Sequence, residues 1–152
     1  MNIKNVKVTE VGPRDGFQSE KTILKTEDKI SIINELIDAG FPRIEVSSFV
    51  SPKAIPQLAD AEIILSKVKR SPNTTLAALV PNARGAIRAV EANLDEIVVF
   101  LSASESHNKK NVNRNVDESL IGFREIADIA GKNNIPIQGD IATAFGCPFE
   151  GN

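Results

Sequence analysis

Tryptophan and tyrosine are absent from this 152-residue chain, and histidine and cysteine occur once each. One cysteine, Cys147, excludes an internal disulfide framework and a zinc–thiolate cluster. One histidine, His107, excludes a multi-histidine metal site built from these residues and confines any Ser/His/Asp triad to that position. No apolar run reaches the ~20 residues of a membrane span, and Met1-Asn2-Ile3-Lys4 opens no signal-peptide apolar region. Neither charge dominates. Eighteen basic and 20 acidic residues, mixed along the chain, sum to −2, leaving no basic field for nucleic acid and no polybasic segment for an anionic membrane. The expectation is a cytoplasmic protein whose partners are neither nucleic acid nor membrane.

What is present suffices for one domain: 41% of residues are hydrophobic, and they recur with two periods. Val6 to Val11 alternates as a strand. Thr26 is placed to cap a helix with Ile30, Ile33, Leu36 and Ile37 at helical spacing, ended by Gly40. Ile44–Val46 reads as a short strand entered from Pro42-Arg43, followed by a loop through Lys53 and a helix near Ala59 to Lys69. Thr75 to Val80 has the continuous apolar pattern of a strand covered on both faces. Asn82 caps a helix over 83–92, and Glu96 to Leu101 is the next buried strand. Ser102 to Arg114 reads as a long polar loop. Asn115 and Glu118 have capping-box spacing ahead of a helix over 116–132, and Ile135 to Ile141 is a fifth strand.

Strand–helix alternation of this kind predicts an α/β fold with parallel strands and right-handed crossovers. An open doubly wound sheet suits the length, but the glycine fingerprint of a dinucleotide fold is missing. Polar residues follow every strand: Arg14 and Asp15, then Ser47, Asn82, Glu105 and Thr143. Chemistry distributed over all the C-terminal strand ends is the habit of (β/α)8 barrels, and these need about 200 residues or more. The expected fold is therefore a partial TIM barrel of strands 1–5 and helices 1–4, with residues 1–152 forming the N-terminal half of a barrel domain.

The stretch Gly12-Pro13-Arg14-Asp15-Gly16-Phe17-Gln18 sets a guanidinium beside a carboxylate on a glycine-flanked turn. Arginine offers a planar fork for a substrate carboxylate or carbonyl, and aspartate a hard oxygen ligand for a divalent cation. An ordinary strand-exit turn with Arg14 and Asp15 paired to each other is the alternative. Cys147 reads as structural, His107 as an ordinary surface residue, and Asp140 as either an inward site carboxylate or a paired one.

Gly12 to Lys21, Ile44-Glu45-Val46-Ser47-Ser48-Phe49-Val50-Ser51-Pro52-Lys53, Lys109-Lys110-Asn111 and Gly146-Cys147-Pro148-Phe149-Glu150-Gly151 together resemble the 3-hydroxy-3-methylglutaryl-CoA lyase family. The isopropylmalate and homocitrate synthases share its Arg-Asp-Gly core but usually lack the Ser-Phe-Val-Ser-Pro-Lys loop. The resemblance implies metal-assisted retro-aldol cleavage of a 3-hydroxy-3-methylglutaryl-CoA-type thioester to acetyl-CoA and a 3-oxo acid. By the same resemblance Arg14 polarises substrate oxygen and stabilises the enolate, Asp15 ligates Mg2+ or Mn2+, and Glu45 supports the site. Gln18, Lys109, Lys110 and Asn111 are implied contacts to the acyl-CoA substrate. The family's His-x-His pair, its later asparagine and its catalytic cysteine find no match here, which implies an incomplete site. The alternatives are a self-associating half-barrel joined through its open edge, a second chain supplying the C-terminal half, or a related condensing synthase.

Overall fold

The computed structural model describes residues 6–151. Five parallel strands, β1 (Thr9–Glu10), β2 (Arg43–Ser48), β3 (Thr75–Leu79), β4 (Glu96–Ser102) and β5 (Ile137–Ala142), lie side by side in chain order. Sequential order distinguishes the two architectures. A flavodoxin-like sheet would reverse direction around its first strand, whereas strands added one after another on the same side build a barrel wall. The partial (β/α)8 barrel is the fold observed.

The helices are α1 (Thr26–Asp38), α2 (Ala61–Lys67), α3 (Ala83–Glu91), α4 (Glu105–Val112) and α5 (Val116–Lys132). Helices α1, α2, α3 and α5 cover the outer face of the sheet, while α4 lies at the C-terminal strand ends. Ile44 and Val46 of β2, Leu76 and Ala78 of β3, and Ile97 and Val99 of β4 meet Ile33, Ile64, Ala86 and Ile126 in one buried cluster. Residues between them face the barrel interior, as strand alternation requires.

Local chemistry accounts for the element ends. Asn82 Oδ1 accepts from Gly85 N at the start of α3, and Asn115 with Glu118 forms the expected capping box on α5. Gly85 cannot be larger, since a Cβ there would lie 2.9 Å from the Phe49 carbonyl oxygen. Three expectations need correction. Thr26 does not cap α1. It is the first helical residue, and its hydroxyl donates to Asp60, which also holds the buried Lys29 ammonium at 2.9 Å. The first strand shrinks from Val6–Val11 to two residues because only Thr9 and Glu10 find partners on β2; Val6 and Val8 are exposed. The segment Ser102 to Arg114 is not a loop, for α4 occupies most of it, capped by Ser104 Oγ accepting from His107 N.

Candidate functional site at the C-terminal strand ends

Beyond β1 the chain winds into a π-helical turn, Gly12–Gly16, with Pro13 buried at its start, and continues into one α-helical turn, Phe17–Ser19. The amides of Arg14 and Asp15 both donate to the Val11 carbonyl, at 3.0 and 2.7 Å. Such wide, under-wound π-helical turns are frequent at functional positions. Here the winding turns both charged side chains toward the barrel mouth. Arg14 Nε donates to Glu45 Oε2 at 2.9 Å and Nη1 to Asp15 Oδ1 at 2.7 Å. Among the described residues Nη2 makes neither a hydrogen bond nor an ion pair.

Glu45 sits mid-strand on the inner face of β2 with 4% of its side chain exposed. A carboxylate so buried must be paired, and it is paired twice: besides Arg14, Arg43 Nη1 lies 3.6 Å from Oε1. Arg43 in turn donates from Nε to Glu96 Oε2 at 2.6 Å and from Nη1 to Thr9 Oγ1 at 3.2 Å. Ala77 lies between Glu45 and Glu96 in register, so only a methyl separates the two acids and the Arg43 guanidinium fits between strands. A column of alternating charge, Glu96–Arg43–Glu45–Arg14–Asp15, thus runs from the barrel floor to its mouth. Sequence reasoning missed Arg43, although the period-2 pattern Arg43-Ile44-Glu45-Val46 puts it on the same face as Glu45.

The column opens on a cavity of about 710 Å3 lined by Arg14, Asp15, Gln18, Asn111, Arg114 and Asp140, with an apolar wall that includes Leu79, Phe100 and Phe123. Of the residues singled out from sequence, Arg14, Asp15, Gln18 and Asn111 meet here. Glu45 stands behind Arg14, and Asp140 also lines the cavity, its Oδ1 accepting from Gln138 Nε2 at 2.8 Å. Lys109 and Lys110 do not line it. Both lie on α4; Lys110 Nζ sits 4.4 Å over the Phe149 ring beside a smaller hollow of about 290 Å3 shared with His107 and Asn111. His107 is no plain surface residue, because its Nδ1 is 2.6 Å from Ser102 Oγ and its ring is 6.0 Å from that of Phe149.

Another residue absent from the sequence reading organises this corner. Asn108, 1% exposed, accepts from Ser102 N and donates to the Arg114 carbonyl and Ser119 Oγ. Beyond β5, Thr143 adopts φ +57°, unusual for a β-branched residue, with its hydroxyl buried and unpartnered among the described residues.

No three His, Cys, Asp or Glu side chains among the described residues come together to hold a metal ion. Asp15, 61% exposed, offers an oxygen at the mouth, while Glu45 is taken up by two arginines. The residues present therefore do not by themselves fit a resident divalent cation. No helix among the described residues is long and apolar enough to cross a membrane.

Set beside known proteins, residues 5–151 match the HMGL-like family model. The chain belongs to the HMGL-like family. It is 46% identical over 147 residues to a hydroxymethylglutaryl-CoA lyase of Bacillus subtilis, covering 97% of this chain and 49% of that protein. It is 46% identical over 146 residues to the cytoplasmic 3-hydroxy-3-methylglutaryl-CoA lyase of Danio rerio, covering 96% and 44%. An HMG-CoA lyase from Acinetobacter baumannii, solved with coenzyme A and 3-methylmalate, superposes with a TM-score of 0.90 at 46% identity, over 95% of this chain and 47% of that one. The chain spans about half the length of the relatives it matches.

Proposed function

We propose that these 152 residues contribute the N-terminal half of a hydroxymethylglutaryl-CoA lyase site, one that cleaves a carbon–carbon bond in a tertiary 3-hydroxyacyl-CoA to leave acetyl-CoA and acetoacetate. The observation that carries this reading is the Glu45–Arg14–Asp15 chain at the mouth of the 710 Å3 cavity. Retro-aldol cleavage leaves negative charge on the thioester oxygen as the enolate forms. A cation held in advance where that charge develops lowers the barrier without reorganising. Glu45 and Asp15 fix two nitrogens of Arg14, and its third faces the substrate oxygen. Gln18 and Asn111 would supply neutral contacts to the acyl portion, and Lys109 and Lys110, on α4 outside the cavity, would meet the coenzyme's phosphates. Asp15 is proposed as one ligand of Mg2+ or Mn2+, the others coming from outside the described residues, in a longer chain or a second one. A cytoplasmic location is proposed with it.

Titration of CoA thioester into the chain tests the reading. Arg14→Gln is expected to weaken binding by about tenfold, the worth of one charge-assisted contact. A wild-type chain that binds no CoA thioester overturns the assignment. Chelator-sensitive release of acetyl-CoA by the 152 residues alone overturns the half-site part of it.

A further inference from the structure

Among the described residues four charged ones line the large cavity: Arg14, Asp15, Arg114 and Asp140. Three have partners, Arg14 with Glu45 and Asp15, and Asp140 with Gln138. The Arg114 guanidinium alone makes no hydrogen bond or ion pair among the described residues. It is nevertheless held in place. Its backbone lies between two caps, Asn113 in the left-handed conformation that ends α4 and Asn115 opening α5. Its carbonyl accepts from the buried Asn108 Nδ2 at 2.9 Å. The guanidinium rests directly on α5 where Gly122 has no side chain: a Cβ there would meet Arg114 Nη1 at 3.2 Å. A half-buried cation, fixed at its base, seated on a bare helix face and facing a cavity in which neither Asp15 nor Asp140 pairs with it, is arranged to meet an anion from outside.

We propose that Arg114 is a specificity-determining residue that binds the free carboxylate of the substrate acyl group, while Arg14 faces the thioester end. The inference rests on the acyl-CoA reading above and assigns to one residue of this chain, Arg114, the carboxylate that a hydroxymethylglutaryl group already carries. A carboxylate fits better than a phosphate. The planar fork matches it bidentately, and Asp15 and Asp140 on the same cavity penalise a dianion more than a single charge. The two functional groups of such an acyl chain then meet cations contributed by different elements, the turn after β1 and the α4–α5 corner.

The test is calorimetric binding of two thioesters of equal chain length to the full 152-residue protein, glutaryl-CoA with a terminal carboxylate and pentanoyl-CoA with a methyl. Wild-type protein is expected to prefer glutaryl-CoA by about tenfold. Arg114→Gln removes that preference and leaves pentanoyl-CoA affinity unchanged; Arg114→Lys keeps part of it. Gly122→Ala, which displaces the guanidinium without removing its charge, weakens glutaryl-CoA selectively. A preference that survives Arg114→Gln overturns the proposal, and so does an equal loss for both ligands, which assigns Arg114 to the coenzyme's phosphates. Failure of the wild-type protein to bind either thioester overturns the acyl-CoA reading itself, and the inference with it.

Discussion

Desolvation is the largest single influence on the Cys147 thiol and pushes it up, yet hydrogen bonds from the Ser104 hydroxyl and the amides of Phe149 and Glu150 together outweigh it. Sγ lies 2.9 Å from Ser104 Oγ and accepts from Phe149 N at 3.3 Å. The thiol therefore sits below its ordinary value, and thiolate persists to lower pH than in a free cysteine. The rate of iodoacetamide alkylation should reach half its plateau at a pH below that of a free-cysteine control, and Ser104→Ala should move that midpoint upward. A midpoint at or above the control in the unaltered protein contradicts this account. In sequence the residue showed only as a cysteine between Gly146 and Pro148. Its surroundings come from the tight closure of Cys147 on Gly151 and from Ser104, 43 positions away, a proximity that no local pattern encodes.

At the scale of elements, β2 holds the barrel interior together. Its outward residues Ile44 and Val46 enter the hydrophobic cluster, and its inward Arg43 and Glu45 tie β1, β4 and the Arg14 turn into one charge column. Removing one member of a buried pair leaves the other charge without compensation, at a cost of about 3–5 kcal/mol. Arg43→Met should destabilise the fold by roughly 3 kcal/mol on that basis, and adding Glu96→Gln should recover part of the loss, read from denaturant midpoints at constant slope. A loss under about 0.5 kcal/mol, typical of exposed positions, would show that the column does not stabilise the fold. Elements differ in how plainly their residues announce them. The apolar periods of α1, α5, β3 and β4 were legible, as were the caps Asn82 and Asn115. Helix α4 was not, because Glu105-Ser106-His107-Asn108-Lys109-Lys110-Asn111-Val112 has one apolar residue and buries an amide, Asn108, where a helix ordinarily buries an aliphatic stripe. Only Ser104 marked its start. The same blindness kept Arg114 from view, since its position depends on the corner that Asn108 closes.

For the whole molecule, the alternation of strands and helices was enough to read parallel strands, and polar residues after each strand were enough to favour a barrel wall. Contacts across the strands of that wall, such as Arg43 passing Ala77 to reach Glu96, have no local signature. Nor did the pattern of β5 reveal its surroundings. Ile137 and Ile141 occupy the side that helices cover on β2, β3 and β4, yet they are 38% and 63% exposed, and Phe145 beyond them is fully exposed. Among the described residues β5 pairs only with β4, so its other edge offers free backbone donors and acceptors next to apolar side chains. Such edges recruit another strand. The opposite edge is β1, flanked by exposed Val6 and Val8. The two open edges differ, so a second copy pairing β5 with β1 makes a heterologous contact. In the absence of a complementary half-barrel, sedimentation at tens of micromolar should show species heavier than the 16.4 kDa chain. Ile141→Lys combined with Phe145→Ser should return it to a monomer, because a lysine on an edge strand blocks pairing while the Glu45 column and the helix-side cluster stay intact. A wild-type chain that sediments as a stable monomer would mean that β5 is shielded in solution by other means, and the open-edge account would fail.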